Sequence, residues 1–185
     1  QYEEKIRQVI REVDRMNQIL DQLLQLARLD SPNLEISKQD LELLPFLGQF
    51  QEKWKALVEE KNMHMHLDIP AGIHIRTDAV FLDLILGNLV GNAIKYGRSG
   101  GNIVCRWDAA THCLSVIDDG PGIPQTHIPK LFDRFYRSDE SRNSRVQGSG
   151  LGLSIVKKLT DLLDIRLDLK SGETGGTSFL LFFPN

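Results

Sequence analysis

The sequence predicts a mixed α/β layered domain over residues 32–185, carried behind one long amino-terminal helix over residues 1–31. Three observations predict it. Apolar residues recur at a coiled-coil rhythm from Ile6 to Ala27 and stop at a proline. Beyond that point, segments of helical spacing alternate with short stretches of period-two alternation, each bounded by glycine, proline or a capping residue. Composition is globular: with 41% hydrophobic and 25% charged residues, 185 positions supply one core with an appendage and leave little room for two full domains.

The first helix places Ile6, Val9, Val13, Met16, Leu20, Leu23 and Ala27 at alternating spacings of three and four. Ile10, Ile19, Leu24 and Leu26 widen that stripe beyond a two-helix seam, which suits a four-helix bundle and an oligomerising stem. The plainer alternative is an amphipathic helix lying on the chain's own core. Asp30, Ser31 and Pro32 end the helix, because proline disfavours a helical residue before it.

A short apolar/polar segment follows around Leu34 to Ser37. Leu43, Phe46, Leu47, Phe50, Trp54, Leu57 and Val58 then predict a helix of about four turns, with Pro45 tolerable in its first turn. Met63, Met65, Leu67 and Ile69 alternate with His64, His66 and Asp68, a half-exposed strand closed by Pro70 and Gly72 and continued by Ile73 and Ile75. Its histidines face outward, and nothing supplies the third well-spaced ligand that zinc would need. Thr77 or Asp78 caps a helix running to about Tyr96. Asn102 to Trp107 and Cys113 to Asp118 form a hairpin around the turn at 108–111. A helix from about Leu151 to Leu163 and strands at Ile165 to Leu169 and Thr177 to Phe183 complete the layers.

Several function classes fall away on composition. A net charge of −3 gives no general basic field, so nucleic acid is not an expected partner and any anion site must be built locally. Cys105 and Cys113 are too few for a disulfide framework and are expected as two reduced thiols. No apolar run is expected to reach the roughly 18 residues that span a bilayer, and QYEEKIRQVIREVDR has no signal-peptide core, so these residues are not expected to contact membrane.

The chemistry concentrates in three places. Asn88, Asn92 and Lys95 stand at i, i+4 and i+7 on one face of a helix whose other face is apolar. Asparagine is a poor helix former, so two in one apolar helix suggest a use: amide oxygens ligate hard cations and amide nitrogens donate to phosphate. Asp118 ends a strand that opens into Asp119-Gly120-Pro121-Gly122-Ile123. A carboxylate there can accept from an exocyclic amine, while glycine lets backbone approach a flat ring. Gly148-Ser149-Gly150-Leu151-Gly152-Leu153 runs directly into a helix, a cradle of free N–H groups for phosphate. It is neither a P-loop, lacking Gly-Lys-Ser/Thr, nor a dinucleotide fingerprint, since no βαβ unit surrounds it. Between the glycine segments, residues 134–145 carry four arginines against two acids, a lid suited to polyphosphate. Taken singly, each feature also reads as a solvated face, a turn or a surface loop.

In this order the motifs resemble those of the catalytic ATP-binding domain of bacterial two-component sensor histidine kinases, within the wider superfamily of gyrase-type, chaperone and mismatch-repair ATPases. Asn88-Leu-Val-Gly-Asn92-Ala-Ile-Lys95-Tyr96 resembles the asparagine box, and Asp118-Asp-Gly120-Pro-Gly122 the first glycine box. Leu131-Phe132-Asp-Arg-Phe135-Tyr-Arg137 resembles the phenylalanine box, Gly148 to Leu153 the second glycine box, and Gly175-Gly176-Thr177 the terminal glycine motif. The resemblance implies an α/β (α+β) two-layer sandwich, a mixed sheet of about five strands packed on three helices. It implies that Asp118 takes the adenine amino group and that Asn92, with Asn88, handles a magnesium ion bridging the ATP phosphates. Lys95, Tyr96 and Arg137 would face the phosphates, with Asn88, Lys95 and Arg137 as the catalytic candidates. Phe132 and Phe135 would anchor the lid, and Gly120, Gly122, Ile123, Gly148, Gly150, Leu151, Gly152, Leu153 and Thr177 would complete the ATP-binding set.

The implied reaction transfers the γ-phosphoryl group to a histidine for relay to a response-regulator aspartate. None of His64, His66, His74, His112 or His127 lies in the acceptor's His-Glu-Leu-Arg-like context. The stem resembles the second helix of the dimerisation hairpin, whose acceptor-bearing partner would precede Gln1. The chain is therefore expected to bind Mg-ATP without autophosphorylating. The intact protein is expected to be a homodimer, to meet a receiver domain, and to hold this portion on the cytoplasmic side of a bacterial inner membrane. Two other readings compete: a gyrase-type ATPase or serine kinase, which Asn88 argues against because the former carry a glutamate base there, and a non-catalytic nucleotide-regulated dimerisation module.

Overall fold

A computed structural model describes residues 2–137, 148–172 and 175–184. In chain order the elements are α1 (Tyr2–Leu29), β1 (Gln39–Glu42), α2 (Leu43–Glu60), β2 (His64–Asp68), β3 (His74–Thr77) and α3 (Ala79–Tyr96). They continue with β4 (Asn102–Asp108), β5 (Cys113–Asp118), a 3₁₀ turn (Ile128–Lys130), α4 (Gly152–Leu162), β6 (Arg166–Ser171) and β7 (Thr177–Phe182). Five strands make one sheet in the order β2-β4-β5-β7-β6. Only β2 and β4 run parallel, so the sheet is mixed.

Register explains the core. Cys105, Val116, Phe179 and Leu169 stand opposite one another across four strands, as do Trp107, Leu114, Leu181 and Leu167. They join Leu43, Leu47 and Phe50 of α2, Leu82, Ile85, Leu86 and Leu89 of α3, and Ile155, Val156 and Leu159 of α4 in one apolar cluster. This is the expected sandwich of a five-stranded mixed sheet on three helices. Cys105 and Cys113 are both buried and unbridged. Burial pushes the Cys105 thiol up to about 12, so it stays protonated.

Two expectations are corrected. Ile73 and Ile75 do not prolong β2: Gly72 turns the chain at φ +76°, and β3 pairs antiparallel with β1 in a separate two-stranded sheet. Helix α3 is, by length and composition, apolar enough to cross a membrane. Its buried Leu82, Ile85, Leu86, Leu89, Val90 and Ala93 are instead the centre of this core. Asp78 is the cap of α3, its carboxylate accepting from the N–H groups of Val80 and Phe81 at 3.0 and 3.1 Å.

Helix α1 meets the sandwich through its last turns. Leu26 and Leu29 are buried, and Asp30 receives Lys158 at 2.8 Å and Arg134 at 3.1 Å. Ile6, Val9, Val13, Met16, Leu20 and Leu23, the stripe that the rhythm picks out, remain exposed.

Candidate nucleotide site

Helices α1, α2 and α3, the start of α4 and the ends of β5 and β7 surround a cavity of about 900 Å³. Asn88, Asn92 and Lys95 all face it, as their spacing predicts. The Asn88 Nδ2 donates to the Leu84 carbonyl at 2.8 Å, which fixes the amide and turns Oδ1 toward the start of α4. A Cβ at Gly152 would come within 2.8 Å of that oxygen, so glycine is what lets the two helices approach. No hydrogen bond among the described residues ties the Asn92 amide. Two amide oxygens, one pre-oriented and one free, suit a hard cation held jointly with phosphate.

The second wall is the end of β5. The Asp118 carboxylate accepts from the Gly120 N–H at 2.9 Å, and the Thr177 N–H also supports it. Burial raises its pKa above the usual carboxylate range, and Asp119 adds repulsion, while the two backbone donors oppose the shift. Beyond it, Gly122 adopts φ +81°, and a Cβ there would lie 2.2 Å from the Gly172 carbonyl oxygen. The Ile123 N–H donates to Ser171 Oγ at 2.7 Å, pinning this turn to β6.

The third wall is cationic. Lys95 Nζ rests against Gly148, where a Cβ would displace it, and 4.9 Å from the Tyr96 ring centroid. Arg137 Nη1 donates to the Gly148 carbonyl at 3.1 Å. Burial, then the charges of Arg137 and Arg15, bring the Lys95 pKa down to about 8. Such a cluster lowers the cost of binding an anion, because the anion relieves repulsion already present. Among the described residues no side chain caps the first turn of α4, an arrangement that suits an anion.

Gly122, Ile123, Tyr96, Gly148, Gly150, Gly152, Leu153 and Thr177 also line the cavity. Gly120 lies just outside, beside a shallower depression that Asp118 shares. Leu151 is fully buried and anchors α4 from beneath. Phe132 packs against the core, whereas the Phe135 side chain is 55% exposed. Phe135 contributes through its backbone: at φ +63° its N–H donates to the Gly150 carbonyl at 3.0 Å, joining the two motifs. The expected lid falls largely on residues 138–147, outside the described residues. Among the described residues no cluster of three metal-ligating side chains occurs, and His64 and His66 are exposed.

Other lining residues carry no sequence signal of their own. His127 Nδ1 and the Tyr136 hydroxyl hydrogen-bond at 2.7 Å on one side. Trp54 fills the space left by Gly87, and Lys53 pairs with Asp83 at 2.7 Å. Helix α1 supplies Arg15, Gln18, Ile19 and Gln22, one helical face.

An acceptor at a strand end, amide oxygens on one helix and cations at a glycine-rich helix start suit a purine nucleotide and its phosphates. A family model for histidine kinase-, DNA gyrase B- and HSP90-like ATPases matches residues 77–185. The sensor histidine kinase CusS of Escherichia coli (strain K12) is 33% identical over 177 residues, which are 95% of this chain and 36% of CusS. ShkA, solved at full length in complex with AMPPNP, superposes with a TM-score of 0.79 at 25% identity, covering 95% of this chain and 37% of ShkA. The histidine kinase ThkA, solved with the response regulator TrrA, gives a TM-score of 0.75 at 21% identity over 95% of this chain and 49% of ThkA, a likeness of fold. The chain therefore belongs to the histidine kinase-, DNA gyrase B- and HSP90-like ATPase family, as an ATP-binding catalytic domain of the two-component sensor kinase kind. It spans about a third of the length of the curated relatives it matches.

Proposed function

We propose that this chain binds Mg-ATP in the cavity and, within the intact protein, drives transfer of the γ-phosphoryl group to a histidine. The observation that carries this reading is the convergence of Asn88, Asn92, Lys95 and Asp118 on one cavity from two separate elements. Asp118 accepts a hydrogen bond from the adenine amino group, with Thr177, Gly122 and Ile123 around the ring. Lys95, Tyr96, Arg137 and the first N–H groups of α4 hold the phosphates. Asn92 and Asn88 offer amide oxygens to magnesium, which when bound neutralises the β- and γ-phosphate charge.

Positioning and charge neutralisation are what the protein contributes to phosphoryl transfer. An imidazole nitrogen forms the bond to γ-phosphorus as the bond to the β–γ bridging oxygen breaks, and ADP leaves carrying that electron pair. The phosphoryl group then passes to a carboxylate of a response-regulator receiver domain. Asn88, an amide whose nitrogen is bonded to Leu84, has no base to offer water, which disfavours simple ATP hydrolysis. The exposed stripe of α1 forms the homodimeric bundle, and this portion lies on the cytoplasmic side of a bacterial inner membrane.

Titration with a non-hydrolysable ATP analogue, with and without magnesium, tests the site. Asn92→Ala should remove most of the magnesium-dependent gain in affinity; equal affinity of variant and wild type with magnesium present would sink the metal assignment. Label from γ-labelled ATP should not enter this chain by itself, since none of its histidines has the acceptor's context.

A further inference from the structure

The cavity has a wall that the nucleotide motifs do not account for. Arg15, Gln18, Ile19 and Gln22 of α1, at i, i+3, i+4 and i+7, turn toward it, on the side away from the exposed apolar stripe. Two contacts hold that face in place. Ser149, within the second glycine segment, hydrogen-bonds to the Gln22 side-chain carbonyl and accepts from the Leu151 N–H at 3.1 Å. Further along, Asp30 is clamped by Arg134 and Lys158.

Two turns before Gln22, Arg15 has its Nε buried without a hydrogen-bond partner among the described residues. Its only ion pair among them is a loose one with Glu12, at 3.6 Å and partly exposed, which is worth little. The guanidinium is close enough to Lys95 to repel its charge, as Arg137 does. The carboxylates that share the cavity are engaged elsewhere: Asp83 with Lys53, Asp118 with backbone N–H groups. A guanidinium whose Nε has no partner among the described residues, facing a cavity beside two other cations, offers a donor to phosphate oxygens.

We propose that Arg15 is a third phosphate-binding cation of the nucleotide site, supplied by α1 rather than by the sandwich. This rests on the ATP reading above. Helix α1 is then part of the binding site, and a nucleotide with more phosphate charge gains more from its docking.

Calorimetric titration of the 185-residue chain with a non-hydrolysable ATP analogue and with ADP, both with magnesium, tests this on wild type, Arg15→Gln and Arg15→Lys. Arg15→Gln should weaken the analogue roughly three- to tenfold and ADP by less than about twofold, the range for a partly exposed charged hydrogen bond. Arg15→Lys should recover part of the loss, since it keeps the charge without the fork. Unchanged analogue affinity in Arg15→Gln, beside a wild type that binds, overturns the proposal and leaves the ATP reading standing. Equal loss for both nucleotides with no rescue by lysine also overturns it, because that is the mark of displaced α1. A wild type that binds neither nucleotide overturns the ATP reading and this proposal together.

Discussion

Helices α1 and α3 both carry regular apolar stripes, yet α3 buries Leu82, Ile85, Leu86 and Leu89 to 1% exposure or less, while α1 leaves Ile6, Val13 and Leu20 at 49–57%. Periodicity therefore records which face avoids water and is silent on what covers it. The polar faces behave in the opposite way. Asn88, Asn92 and Lys95 from α3 and Arg15, Gln18 and Gln22 from α1 converge on one cavity. In α3 the two faces do separate work, one holding the sheet and the other lining the cavity. In α1 the apolar stripe stays exposed, and the cavity takes the opposite face, Arg15, Gln18, Ile19 and Gln22.

Cutting the same side chain in both helices should separate them by the widest margin. Leu86→Ala should cost about 2–5 kcal/mol, since it empties a fully buried site. Leu20→Ala should stay within about 0.5 kcal/mol in monomeric chain, as for other exposed positions. Chemical denaturation of both variants checks the contrast, and equal losses would mean that the α1 stripe is covered. Next in size is Gly122→Ala, which puts a methyl group against the Gly172 carbonyl at a positive φ and should cost about 1–3 kcal/mol by the same assay. Asp78→Ala should cost about 1 kcal/mol or somewhat more, because the carboxylate caps α3 and also accepts from the Ser37 N–H at 2.9 Å.

The smallest effect sharpens the polar side. Lys95 has a folded pKa of about 8 against an ordinary value of 10.5, so between these pH values the unfolded chain binds more protons. Stability contributed by this group should therefore rise with pH across that window, and Lys95→Met should flatten the rise in a melting series. Phosphate binding favours the ammonium. Near pH 8 nucleotide binding should take up a fraction of a proton, read as buffer-dependent heat that Lys95→Met removes.

Much of this architecture is legible in residue order. Asp78, the asparagine spacing and the strand ends at Cys113 and Asp118 follow from local chemistry: a capping carboxylate, a 3.6-residue period and a two-residue alternation. Pairing of β3 with β1 is not legible, because Gly72 reverses the chain and partner choice is a long-range matter. The α1 wall is not legible either. Arg15, Gln18 and Gln22 look like an ordinary solvated helix face, and only the docking of Leu26 and Leu29 turns them inward. Phe135 shows a third limit: an aromatic in a loop suggests an anchor, but its backbone takes a left-handed turn and sends the ring to solvent.

The most direct test of the nucleotide assignment is calorimetric titration of a non-hydrolysable ATP analogue, with magnesium, into wild type and Asp118→Asn. With the half-buried carboxylate proposed as the adenine acceptor, the variant should bind at least about tenfold more weakly while its melting temperature holds. Equal affinity in the two proteins, or no binding by wild type, would contradict the account.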